Sequence, residues 1–244
     1  MSLLKSLASS DDTIKGETDS IGSGGVLNSG AHLGTVTLAY VTKAASEALG
    51  LVINAKTAAG RELRQTLWMT SGKAKGGKNY YEKDGQKSFL PGYLHADSLA
   101  LLTVGKSISE LDTEEKVVNV YSADAKADVP TKVQMVMDLL GQEIYFGVIK
   151  QVVDKTKKND AGVYVATGDT REENEIDKLF RAKDKLTTAE IRAGETTAVF
   201  FDTWTKKWEG QVKQRAKGAA GAAGVPGAAP AAGGTAKPTK SLFG

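Results

Sequence analysis

The chain has 244 residues, 41% hydrophobic and 25% charged, which suits a soluble globular body with a buried core. It holds no cysteine and only two histidines, His32 and His95, so disulfides, thiolate metal sites and a cysteine nucleophile are excluded. The net charge of +3 hides an asymmetry, because the segment from Lys206 onward carries +6 and residues 1–205 carry −3. A slightly acidic body with a basic end fits a polyanionic partner, and it fits equally a tail that only keeps the protein soluble.

Residues 1–30 read as a flexible N-terminal arm. The apolar patch Leu3, Leu4 and Leu7 is too short for a signal-peptide core, and polar, Gly-rich sequence follows it. No window offers the roughly 18 apolar residues a membrane helix needs, so no membrane partner is expected.

Alternation predicts a strand over Thr35–Val41, with Val36, Leu38 and Tyr40 on one face. Leu51–Lys56 is a second strand and Glu62–Thr70 a third, joined at Ala58-Ala59-Gly60. The third presents Leu63, Leu67 and Met69 on one face and Arg64, Thr66, Trp68 and Thr70 on the other. Ser71–Lys87 reads as a Gly/Lys-rich loop. Pro91–Val104 predicts a helix with Leu94, Leu99, Ala100 and Leu102 inward and Gly105 as its stop. Lys116–Tyr121 is a short strand. Asp128-Val129-Pro130 resembles a helix start and Gly141 its end, with Val133, Met137 and Leu140 on one face. Glu143–Asp154 is the longest β-branched run and predicts a central strand. A turn at Asn159–Gly162 leads into Val163–Val165, and Glu175–Arg181 is a further strand. Thr187–Arg192 is a short helix. Thr197–Lys213 predicts a longer C-terminal helix with Phe201, Trp204 and Trp208 at helical spacing, so residues 196–217 form a separate helical unit. Residues 218–234 are Gly, Ala and Pro apart from Val225, which predicts a disordered tail over 218–244. It ends in an apolar Leu242-Phe243 pair, either an unconstrained end or a tethered docking motif for a partner protein.

Gly72-Lys73-Ala74-Lys75-Gly76-Gly77-Lys78-Asn79 approaches a phosphate-binding loop, but Asn79 replaces the magnesium-binding hydroxyl and no helix pattern follows. Composition offers more. Arg61, Arg64, Lys73, Lys75, Lys78, Lys83 and Lys87 give residues 61–87 a net charge of +4, with Trp68, Tyr80 and Tyr81 interleaved. Bases neutralise phosphates and exposed rings stack on nucleobases, as a single strand requires. A solvated lysine loop with its rings in the core has the same composition. Lys155, Lys157 and Lys158 form a second basic cluster at a hairpin tip, which is either a charged tip kept in solvent or the far wall of a groove. The acid pairs Asp11/Asp12, Glu114/Glu115 and Glu172/Glu173 lie in polar surroundings, and no nucleophile elbow or His-Glu-x-x-His is present. No catalytic residue, cofactor or metal is expected.

The chain resembles the single-stranded DNA-binding proteins of tailed bacteriophages over about residues 28–183. The resemblance rests on Asn28-Ser29-Gly30-Ala31-His32, Ala48-Leu49-Gly50-Leu51-Val52-Ile53, Gly60-Arg61-Glu62-Leu63, Leu139-Leu140-Gly141-Gln142-Glu143 and the end near Phe243. It implies an OB-fold-like, five-stranded antiparallel barrel over 31–195, mainly β with inserted helices and a C-terminal helix. It also implies sequence-independent binding of single-stranded DNA in replication or recombination, in the cytoplasm of an infected bacterial host. The binding residues would be Arg61, Arg64, Trp68, Lys73, Lys75, Lys78, Tyr80, Tyr81, Lys155, Lys157 and Lys158. Phage replication or recombination proteins would meet Leu242 and Phe243, and a homo-oligomer is compatible. The tail departs from the group: it is basic where many members are acidic. A structural or scaffolding phage protein, a strand-annealing protein and a metal-dependent nuclease are the competing readings.

Overall fold

The computed structural model describes residues 25–122, 125–160 and 163–217. The N-terminal residues 1–24 and the tail over 218–244, with Leu242 and Phe243, lie outside the described residues.

Three antiparallel strands open the fold: β1 (Gly30–Lys43), β2 (Leu49–Thr57) and β3 (Glu62–Trp68). Val36, Ala39, Leu51, Ile53, Leu63 and Leu67 point into the main core. The expected common face of Val36, Leu38 and Tyr40 is not formed. The register steps between Val36 and Leu38, so a bulge at Thr37 turns Leu38 and Tyr40 to the opposite side. The expected arm also ends early, because Leu27 and Ser29 are buried and β1 starts at Gly30.

The expected loop over 71–87 contains a 3₁₀ turn at Lys73–Lys75 and a hairpin, β4 (Tyr80–Lys83) and β5 (Gln86–Phe89). The hairpin reverses at Asp84-Gly85, both at positive φ (52° and 77°), the conformation a two-residue turn requires. Helix α1 (Pro91–Thr103) follows, with Pro91 at its first turn. Ala96, Leu99, Ala100 and Leu102 are buried, whereas Leu94, expected inside, is 46% exposed.

The helix expected from Asp128 to Gly141 is a strand. β6 (Glu114–Ser122) and β7 (Ala127–Met135) form a hairpin in which Val129, Thr131, Val133 and Met135 alternate inward. Pro130 is exposed, on a stretch of β7 whose other edge has no strand partner among the described residues, where a missing N–H costs no ladder bond. Only a 3₁₀ turn at Met137–Leu139 is helical.

β8 (Glu143–Lys158) and β9 (Tyr164–Arg181) pair along nearly their whole length, so the two strands expected after the turn are the ends of one. α2 (Thr188–Arg192) starts at a Thr187–Glu190 capping box. The expected C-terminal helix stops early: α3 (Val199–Trp208) is followed by Gly210 at φ 69° and by β10 (Val212–Gln214), parallel to β8. Phe201 and Trp204 pack on Ile149 and Phe180, and the Trp204 indole donates to Asp177 Oδ2 at 2.7 Å.

The protein is thus mainly β with few helices, built on an eight-stranded sheet. Its central order is β3-β2-β1-β8, with β9 beyond β8. Backbone pairing does not close this sheet into the expected five-stranded barrel. The edges of β3 and β9 are joined by side chains instead. Gln65 Oε1 accepts from the Ile176 N–H at 2.7 Å, and α1 packs across both strands. At the far end Asn174 bonds both the N–H and the carbonyl of Leu27, at 2.7 and 2.8 Å.

Candidate nucleic-acid interface

The outer face of β1–β3 consists of four cross-strand rows: Thr35, Lys56 and Glu62; Leu38, Asn54 and Arg64; Tyr40, Val52 and Thr66; Thr42, Gly50 and Trp68. The β6/β7 hairpin covers one side of it. Tyr40 and Val52 are buried with Val133 and Met135, with Val118 and Val120 packed on them. The β3 column escapes this cover, leaving Arg64 exposed and Thr66 and Trp68 half-buried. Trp68 rests on Gly50, where a Cβ would lie 2.9 Å from the indole Cε3. Glycine at that position leaves room for the indole against the backbone. Asn54 Oδ1, in the Arg64 row, is buried without a hydrogen-bond partner among the described residues.

From Trp68 the chain passes directly into the lysine-rich turn. Gly72 packs tightly against Ser46, and the Lys73 N–H donates to the Ser46 carbonyl at 2.8 Å, so the turn is docked on the β1–β2 connection. Glu47, at φ 65°, holds Lys73 at 3.2 Å and Lys43 at 3.4 Å. The Lys75 side chain is exposed. The ammonium groups of Lys78 and Lys87 each lie 5.4 Å from the centre of the Tyr80 ring. Tyr80 and Tyr81 are consecutive in β4 and so point to opposite faces of the hairpin, a separation the loop expectation concealed. Tyr80 shares its face with Phe89, whose ring stacks on Tyr93 at 4.9 Å; Tyr81 is exposed on the other face opposite Ser88.

Not all the expected residues gather here. Arg61 shares parity with Leu63 rather than with Arg64, and its guanidinium donates to the Gly25 carbonyl at 2.6 Å. It clamps the N-terminal segment to the sheet. Lys155, Lys157 and Lys158 lie in β8, on a ribbon that, among the described residues, only β9 accompanies beyond the β10 pairing at Val152. Lys158 covers the Tyr164 ring at 5.4 Å. Because β8 runs antiparallel to β1 and passes its Gly30 end, this cluster lies at the opposite end of the sheet from the Lys73–Lys78 turn. The 14 residues of β1 alone span roughly 45 Å when extended. The two basic clusters do not flank one groove end.

The charged pairs elsewhere are structural. Glu114 and Glu115 bond Lys116 and Lys132, and Glu172 and Glu173 bond Lys150 and Arg171. Lys213 and Arg215 both reach Glu175. The Arg181 guanidinium, bonded twice to Asp184, holds that carboxyl below its ordinary value. His95 Nε2 donates to the Asp177 carbonyl at 3.0 Å, and burial lowers its pKa. Among the described residues no three of His, Cys, Asp and Glu come together as metal ligands would.

Several residues of this corner were not singled out in the sequence: Lys43, Glu47, Phe89 and Tyr93. The Asp84-Gly85 dipeptide is the signal that would have revealed the hairpin and its two faces. Comparison of the chain with protein-family models, with curated proteins and with solved structures finds no match to any of them.

Proposed function

We propose that this protein binds single-stranded DNA without reading its sequence, through the outer face of β3 and the lysine-rich turn and hairpin that follow it. The observation that carries this reading is the juxtaposition of a half-exposed Trp68 with exposed Arg64 on one strand face, continued by Lys73, Lys75 and Lys78. A ring available for stacking beside cations at strand spacing suits a backbone of phosphates with flat bases between them. The order β3-β2-β1-β8-β9, with α1 spanning the gap between β9 and β3, supports an OB-like reading of the fold. OB barrels bind oligonucleotides on their second and third strands and adjoining loops.

In this reading Arg64, Lys73, Lys75 and Lys78 neutralise phosphates, and Trp68 and Tyr80 or Tyr81 stack. The reaction is binding alone, serving replication or recombination of a phage genome in its bacterial host. The test is anisotropy of a labelled oligo-dT over a salt series. Each neutralised phosphate adds about −0.7 to the slope of log affinity against log salt. No association at low salt would retire the proposal.

A further inference from the structure

A cavity of about 340 Å³ opens at the end of β1–β3, beneath the lysine-rich turn. That is the low end of the range for small-molecule sites, roughly 300–1,000 Å³. Its floor is apolar, formed by Val41, Leu51, Met69 and Val136. Lys78 and Asn79 line one side and Tyr93 another. Tyr93 stacks on Phe89, Phe89 lies opposite Tyr80, and Lys78 and Lys87 stand over Tyr80. A track of rings and ammonium groups therefore leads into an apolar hole.

We infer that this cavity receives one nucleobase of a bound single strand, or the base of a free mononucleotide; the strand-bound case rests on the DNA-binding reading above. A nucleobase is flat and largely apolar on its faces and polar at its edge. The floor accepts the faces, the Asn79 carboxamide can pair with the edge, and Lys78 sits where the attached phosphate would emerge. An aliphatic ligand would use the floor but would leave the cations and rings without a role. The cavity lies on the core side of β3, away from Trp68, so it adds a base-holding site to the outer-face contacts.

The test is methyl NMR on the full chain, titrated separately with dAMP and with a short oligo-dA. The methyls of Met69 and Val136 report on the cavity, and those of Val133 and Met135, in the separate cluster under the β6/β7 hairpin, serve as controls. Both ligands should shift the first pair and spare the second. Ser109 is exposed at the cavity lining, and Ser109→Trp should plug the mouth. It should abolish the dAMP shifts and weaken oligo-dA binding by roughly 5- to 150-fold, the worth of one stacked base. Oligo-dA binding with unmoved Met69 and Val136 methyls would overturn the cavity assignment and leave the DNA-binding reading standing. Cavity shifts with dAMP but no oligo-dA binding would do the reverse. Equal shifts at the methyls of all four residues would overturn the assignment as non-specific. If the Ser109 variant does not fold, the wild-type spectra decide alone.

Discussion

Trp68 lies across the backbone of Gly50, its cross-strand partner, and no side chain separates indole from strand. The ring is braced by the strand and partly buried, a pre-positioned stacking platform on the proposed reading. Trp68→Ala should weaken oligo-dT binding by about 1–3 kcal/mol. Gly50→Ala should act through the same ring, because its Cβ would meet both the indole and the Thr66 methyl at 2.9 Å. Anisotropy together with thermal melts separates lost stacking from lost folding.

Glu47 stands between Lys43 and Lys73 and pairs with both ammonium groups, at 3.4 and 3.2 Å. Glu47→Gln keeps the shape and frees the two cations. Affinity for oligo-dT should rise, and the salt slope should steepen by about 0.7 for each phosphate newly neutralised. Exposed ion pairs contribute about 0–1 kcal/mol, so the melting temperature should barely move.

Arg61 gives the opposite pattern. Its bond to the Gly25 carbonyl holds the N-terminal segment at the open edge of the sheet. Arg61→Ala should lower stability by up to about 1.5 kcal/mol and leave the salt slope unchanged. Loss of DNA affinity with full stability would place Arg61 back in the interface.

His95 supplies a pH signature. Burial lowers its pKa in the folded state, so below the unfolded value of about 6.5 the unfolded chain binds the proton more readily. Its contribution is complete above that pH and is lost as the pH falls toward the folded value. His95→Gln should flatten the decline in stability as the pH falls below about 6.5, measured by denaturant midpoints.

These residues also show what was legible beforehand. The apolar run of β8 and the two-sided pattern of Leu63/Leu67 against Arg64/Trp68 survive intact, because a period of two with one buried face leaves little choice. Asp128–Gly141 misled because Asp-Val-Pro and a later glycine mimic helix ends, while the alternation of Val129, Thr131, Val133 and Met135 was equally present. The bulge at Thr37 has no sequence signature and reassigns Leu38 and Tyr40. The middle of β9 is polar because β8 and β9 run on as a ribbon beyond the core, so its continuity could not be read from hydrophobicity. For the site, the hairpin hidden in the expected loop is what separates Tyr80 from Tyr81, and grouping Arg61 with Arg64 overlooked the alternation that turns Arg61 toward Gly25. The distance between the two lysine clusters depended on the β1–β8 register, which no local pattern encodes.

The central claim is sequence-tolerant single-strand binding on the Arg64–Trp68 face. A salt titration of affinity for oligo-dT and for duplex of equal length, on wild type and Trp68→Ala, tests it most directly. The proposal expects tight binding of the single strand at low salt, a steep slope, weaker binding of the duplex, and an affinity loss in the variant at unchanged slope. Equal affinity for both nucleic acids, or a Trp68→Ala protein that folds and binds oligo-dT as the wild type does, would contradict it.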